Sequence, residues 1–161
     1  MLNAKAVITH AEEKFAGIFG RKYTGLIESY KCDDADFVIV TLGSIAGLCK
    51  EICDSLRNTG KKCGVLRIRY MRPFPNEEIA QVLANVKACA VLEKDISFGN
   101  EGAVYTNVCS ALQKAGINKP VTNWIGGLGG KDITPEQIEA IFKSLFDGNI
   151  STKVNFIGIS E

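Results

Sequence analysis

The chain has 161 residues, 46% of them hydrophobic, with 19 basic and 18 acidic side chains. That length suits one domain with a substantial core, and the balanced charge argues against a general nucleic-acid or membrane footprint. No apolar run approaches a membrane span and no signal-peptide core opens the chain, so a cytoplasmic protein is expected.

In chain order, residues 4–18 place Ala4, Val7, Ile8, Ala11, Phe15 and Ile18 at helical spacing, and Gly20 closes the helix. Such an apolar stripe must be covered, by the chain's own sheet, by a neighbouring domain or by a second copy. His10, the only histidine, sits in this segment, which argues against a histidine-based triad or zinc site. A polar link leads to "ADFVIVTLG", residues 35–43, whose continuous β-branched core reads as a strand buried on both faces. Ser44 is the expected N-cap of a helix carrying Ile45, Leu48, Ile52 and Leu56 and ended by Gly60.

A second strand is expected over residues 63–70, then a proline elbow, Pro73-Phe74-Pro75, and a helix marked by Ile79, Val82, Leu83 and Val86. "ACAVLE" reads as a third strand, "ISFGNEG" as a loop, and Val104, Val108, Ala111 and Leu112 as the next helix, ending at Gly116. "VTNWI" is a short fourth strand and "GGLGGKDI" a glycine-rich loop. Thr134-Pro135-Glu136-Gln137 fits a capping box with proline at the first helical position, ahead of an apolar stripe of Ile138, Ile141, Phe142 and Leu145. Residues 153–159 add an edge strand or pack as a cover. Four alternations of strand and helix with short links predict an α/β fold: a three-layer, open, mostly parallel sheet with helices on both faces. The whole of 1–161 reads as a single domain, with a leading helix in 1–20, an α/β core in 35–147 and a tail in 148–161.

Ligands in such sheets sit beyond the carboxyl ends of the strands. "GGLGGKD" lacks the spacing of a phosphate-binding P-loop, so its glycines point first to a tight turn. Glu93 and Lys94 form a candidate acid–base pair or a solvated strand end. Arg67 and Arg69 alternate along a strand and share a face, suited to a polyphosphate or to a partner's carboxylates. The six cysteines, Cys32, Cys49, Cys53, Cys63, Cys89 and Cys109, contain no C-x-x-C pair and read as reduced, unligated thiols. No nucleophile, base and orienting group assemble, and the residues alone describe a soluble α/β domain that binds something at its strand ends.

Four segments in order, "FGRKYTGLIESYKCDDADFVIVTLGS", "GKKCGVLRIRYMRPFP", "VLEKDISFGNEG" and "GGLGGKDIT", resemble the 2-oxoacid:ferredoxin oxidoreductases. The similarity is greatest to the C-terminal part of the alpha subunit in the pyruvate-specific branch, and it covers nearly the whole chain. The resemblance implies a transketolase C-terminal-like fold. It also implies a share in the reaction that turns pyruvate, coenzyme A and oxidised ferredoxin into acetyl-CoA, carbon dioxide and reduced ferredoxin.

In that family, thiamine diphosphate, magnesium and iron–sulfur clusters are held mainly by other domains or subunits, and the chain shows neither a cluster motif nor a thiamine signature. The expectation is therefore a docking domain, inactive in isolation, with no catalytic, cofactor-binding or metal-binding residue of its own. Its candidate docking or ligand contacts are Arg69, Arg72, Phe74, Glu93, Phe98 and Lys131. Expected partners are other domains or subunits, with ferredoxin and coenzyme A reached through the full enzyme, and a homodimer as a further option. No nucleic acid or membrane partner is expected. The alternatives are the same domain of another 2-oxoacid oxidoreductase, or a stand-alone module for coenzyme A or a nucleotide.

Overall fold

The computed structural model describes residues 3–23 and 25–158. The leading helix α1 spans Ala4–Phe19 and ends on Gly20 in the left-handed conformation. Then follow β1 (Ile27–Tyr30), β2 (Phe37–Leu42), α2 (Ile45–Asn58), β3 (Cys63–Ile68), α3 (Asn76–Leu83) and β4 (Ala88–Glu93). The chain continues through α4 (Ala103–Lys114), β5 (Val121–Ile125), α5 (Pro135–Phe146) and β6 (Asn155–Phe156). No helix among the described residues is long and apolar enough to cross a membrane.

The six strands form one sheet in the order β1-β3-β2-β4-β5-β6. All pairs are parallel except β1 with β3, which is antiparallel. The expected α/β architecture is thus present, as a mixed, mostly parallel sheet with helices on both faces. Two apolar cores lie on either side of it. Val38, Val40, Leu66, Ile68, Cys89 and Val91 pack against Ile79 and Leu83 of α3 and Val104, Val108 and Leu112 of α4. On the opposite face Ile39, Val65, Ala90 and Leu92 pack against Cys49 and Cys53 of α2 and Ile138, Ile141 and Phe142 of α5. Double-sided burial explains the unbroken apolar runs: every residue of β4 is buried.

The structure corrects several local expectations. The link before β2 is not all loop, because Ile27–Tyr30 adds an antiparallel edge strand to β3. Its central Glu28 and Ser29 carry no apolar signal, and backbone pairing holds it there. Ser44 occupies the N-cap of α2 but makes no side-chain cap hydrogen bond. By contrast, the Thr134 capping box is complete: the Gln137 amide donates to Thr134 Oγ1, and the Thr134 amide donates to Gln137 Oε1. Helix α3 ends at Leu83, so Val86 is buried beyond it rather than within it. The tail supplies β6 and also packs Ile157 against the α2/α5 core; Ile159 lies outside the described residues.

Helix α1 lies on the body by polar contacts more than by its stripe. Lys5 Nζ reaches Glu77 at 2.6 Å and Glu78 at 3.1 Å, at the start of α3. Glu12 pairs with Arg69 at 3.1 Å. Ile8 and Phe15 are half-buried, whereas Val7 is 67% and Ile18 74% exposed. The apolar arc is therefore wider than the face that the sheet covers.

Candidate functional site at the strand ends

After β2 the chain steps to β3 on one side of the sheet, then crosses to β4 on the other side. The carboxyl ends of β2 and β4 therefore flank the point where the strand order reverses, which is where open α/β sheets form their crevice. A cleft of about 280 Å³ lies there, lined by Leu42, Gly43, Ser44 and Ile45 on one side, Leu92 to Asp95 on the other, and Ile133. The lining is mostly apolar, with Glu93, Lys94 and Asp95 bringing the charge.

Glu93 is the centre of this region, and the structure gives it a different task from a surface contact. It is 1% exposed. One carboxylate oxygen accepts from the Val104 amide at 2.7 Å, and the other from the Tyr105 amide at 3.0 Å and from Asn123 Nδ2 at 3.2 Å. Asn123 Oδ1 in turn accepts from the Gly102 amide at 2.9 Å. A strand-end carboxylate thus caps α4 from outside the helix, because the N-cap residue Gly102 has no side chain to do so. A Cβ on Gly102 would lie 1.9 Å from Glu93 Oε1, so the glycine makes room for the carboxylate. Burial pushes the Glu93 carboxyl up to about 7; the two backbone amides oppose that shift, and the neighbouring Asp95 carboxyl adds to it. The Lys94 side chain runs beside Gly127, and of the two readings left open for Glu93 and Lys94 neither the acid–base pair nor the solvated strand end describes the buried Glu93.

The sequence reading missed Asn123 and Gly102. The signal was present in "VTNWI", since a polar residue in a buried strand needs a hydrogen-bond partner.

The other expected contacts fall at the same end of the sheet but do not converge. Arg69 is largely covered: it pairs with Glu12, donates to the Gly25 carbonyl at 3.2 Å and stacks over the Tyr23 ring at 4.4 Å. It ties α1 to the sheet. Arg72 is exposed, and its guanidinium donates to its neighbour's Met71 carbonyl. Phe74, expected to stand free on the elbow, is half-buried against the α3/α4 core between buried Pro73 and Pro75. Phe98 is fully exposed at the tip of a turn closed by Asn100 N to Ser97 O and Ser97 N to Glu101 O hydrogen bonds. Lys131 donates to the Gly158 carbonyl at 2.9 Å and so tethers the tail. In the glycine-rich loop, a Cβ on Gly126 would meet Ile157 at 2.5 Å, which gives that glycine a packing reason.

All six cysteines are free thiols, five of them buried. Cys53 and Cys63 lie close together, with sulfurs 3.6 Å apart. Burial pushes the Cys49 and Cys89 thiols up to about 12, far from reactive thiolates. Among the described residues, no three His, Cys, Asp or Glu side chains stand where they could hold a metal ion.

Comparison with known proteins gives the family. Residues 35–138 match the model of pyruvate:ferredoxin oxidoreductase core domain II. Pyruvate synthase subunit PorA of Methanothermobacter thermautotrophicus is 40% identical over 161 residues, which cover 100% of this chain and 40% of that protein. PorA of Methanocaldococcus jannaschii is 46% identical over 143 residues, 88% of this chain and 36% of that one. Ketoisovalerate oxidoreductase subunit VorA of Pyrococcus horikoshii is 40% identical over 142 residues, 88% of this chain and 36% of that one.

Among solved structures, a 2-oxoglutarate:ferredoxin oxidoreductase from Magnetococcus marinus shares the fold with a TM-score of 0.55 at 23% identity, over 82% of this chain and 21% of that one. A split-gene transketolase does so with a TM-score of 0.53 at 16% identity, over 78% of this chain and 43% of that one. The chain thus spans about 40% of the length of the curated relatives it matches. On the family match and on identity sustained across the whole chain, this protein belongs to the core domain II family of the pyruvate:ferredoxin oxidoreductases.

Proposed function

We propose that this chain is the C-terminal domain of the alpha subunit of a pyruvate:ferredoxin oxidoreductase and acts there in assembly and docking. The implied reaction joins pyruvate and coenzyme A, releases carbon dioxide and passes two electrons to oxidised ferredoxin, giving acetyl-CoA. The observation that carries the docking role is the set of large apolar side chains left exposed: Val7, Ile18 and Phe19 on α1, and Phe98 on the loop after β4. Val7 and Ile18 stand about three turns apart on one face of α1, and an apolar helix face left in water is one that another body covers. Identity of about 40% to pyruvate synthase subunits supports the choice of enzyme. In this reading the protein is cytoplasmic. Its occupant on the apolar surface is the remainder of the alpha subunit or a neighbouring subunit.

Thiamine diphosphate, magnesium and iron–sulfur clusters belong, in this reading, to other parts of the enzyme. The residues here do not fit them: five of the six thiols are buried, no three metal-ligating side chains cluster among the described residues, and Glu93 beside the crevice is engaged with α4. No step of the reaction is routed through this domain. A second reading, the same domain in a ketoisovalerate enzyme, is favoured by the VorA match. Co-expression of this chain with the remaining subunits tests both. The chain should co-purify with them, and the assembly should reduce a viologen dye with pyruvate and coenzyme A. Dye reduction with ketoisovalerate alone would select the second reading, and dye reduction by this chain alone, or failure to associate, would overturn the proposal.

A further inference from the structure

We propose that the cleft between α2 and the β1–β3 edge of the sheet binds a small dianionic group, a phosphate ester or a diphosphate. This inference does not depend on the assembly role. The cleft has a volume of about 360 Å³ and is lined by Lys22, Tyr23, Glu28, Lys50, Arg67 and Arg69. It is separate from the crevice between β2 and β4. Its residues come from three places that the fold brings together. Glu28 and Arg67 are register partners on antiparallel β1 and β3, Lys50 projects from α2, and Lys22, Tyr23 and Arg69 close the end near α1.

The charges do not balance. Four cations face two carboxylates, Glu28 and Glu12, and Glu12 is committed to Arg69. Glu28 already serves two cations: Lys50 contacts it directly, and Arg67 Nη1 stands 3.6 Å away. That leaves a formal surplus of two positive charges, with Glu28 shared between Lys50 and Arg67 and Lys22 in no ion pair among the described residues. The hydrogen bond from Lys50 pulls the Glu28 carboxyl below its usual range against the opposing effect of burial, and the fields of Lys50, Arg67 and Arg69 add to it.

Arg67 shows what is missing. Its Nε is buried and has no hydrogen-bond partner. A buried donor without an acceptor is costly, and arginine's planar fork is shaped for two oxygens of one tetrahedral or planar anion. Glu28, at 3.6 Å from Nη1, does not supply that acceptor. Nε itself is shielded from solvent, but the Arg67 side chain is 39% exposed. The open part of its guanidinium, with Lys50 and Lys22, can therefore meet an anion in the cleft and match the surplus charge. A dianion does so, whereas a neutral ligand does not.

Calorimetric titration of the full chain at low salt with inorganic phosphate, inorganic diphosphate and ADP tests this. Diphosphate should bind, and Arg67→Gln should weaken it about tenfold or more, since it removes charge-assisted hydrogen bonds. Glu28→Gln should tighten binding several-fold by removing the competing carboxylate. Lys143→Gln, on α5 and paired with Asp147, should leave it unchanged. ADP binding more tightly than diphosphate would identify a nucleotide as the source of the phosphates, and equal binding the phosphate group alone. Circular dichroism melts confirm that each variant is folded, and Lys50→Gln replaces Arg67→Gln if the latter is not. No saturable binding, or equal losses in Arg67→Gln and Lys143→Gln, would overturn the proposal.

Discussion

Glu93 and Gly102 are fitted to each other at atomic distance, and the consequences are specific. Gly102 has an ordinary negative φ, so its lack of a side chain serves space rather than backbone freedom. Because an added methyl would sit 1.9 Å from the carboxylate, Gly102→Ala should cost about 1–3 kcal/mol of stability. Urea unfolding checks this. A double-mutant cycle with Glu93→Ala should be strongly sub-additive, since the second change removes the atom in the way.

The same carboxylate predicts a pH dependence. Its folded value near 7 lies above the ordinary 4.5, so the folded chain holds this proton more tightly than the unfolded chain does. The contribution to stability is complete below about 4.5 and is lost as pH rises through 7, by on the order of 3 kcal/mol at most. Unfolding midpoints measured between about pH 5 and 8 should therefore fall with rising pH. The fall should be much shallower in Glu93→Gln. Equal slopes in the two proteins would rule Glu93 out as its source.

The elements differ in how firmly they are held. α2 to α5 bury whole faces in the two cores, whereas α1 has no fully buried residue and depends on ion pairs at two points along its length. The Lys5–Glu77 pair has a solvent-exposed partner and contributes little. The Glu12–Arg69 pair is largely covered and is backed by the Gly25 carbonyl and the Tyr23 ring. Arg69→Ala should therefore loosen α1 selectively. Amide exchange in residues 4–19 should accelerate while the midpoint of global unfolding moves little, because the sheet does not need the helix.

The proline elbow separates into two unlike halves. Phe74→Ala removes a ring packed on the α3/α4 core and should lower stability by about 1–3 kcal/mol. Arg72→Ala removes an exposed side chain that donates to the adjacent carbonyl and lies 6.0 Å over the Phe74 ring, and should change the melting temperature little. If the two variants melted alike, the packing assigned to Phe74 would be wrong.

At the scale of the molecule, the alternation of strand and helix was legible because β2 and β4 are buried on both faces and leave unbroken β-branched or small apolar runs. β1 was not legible, since an edge strand of four residues with Glu28 and Ser29 at its centre has neither alternation nor apolar mass. The site was read only in part. Loops at strand ends announced the right end of the sheet, but pairings between distant residues, Glu93 with the amides of α4 and Arg69 with Glu12, have no local signature. The sequence points to both Phe74 and Phe98 as contacts; Phe98 stands fully exposed, whereas Phe74 is half-buried against the α3/α4 core.

That difference bears on where the proposed partner would dock. Among the large apolar groups left to solvent are Val7 and Ile18 of α1 and Phe98 of the loop after β4, and none of these three is part of a buried core. Ile18→Glu and Phe98→Asp should accordingly leave the chain's melting temperature unchanged. In the co-expressed oxidoreductase they should weaken association of this chain with the remaining subunits by about tenfold or more, as loss of a buried anchor does. Light scattering of the chain alone separates the competing occupant. If Ile18→Glu converts a dimer to a monomer but leaves the assembly intact, the α1 face is a contact between copies; if it changes neither, the apolar surface is not a docking surface.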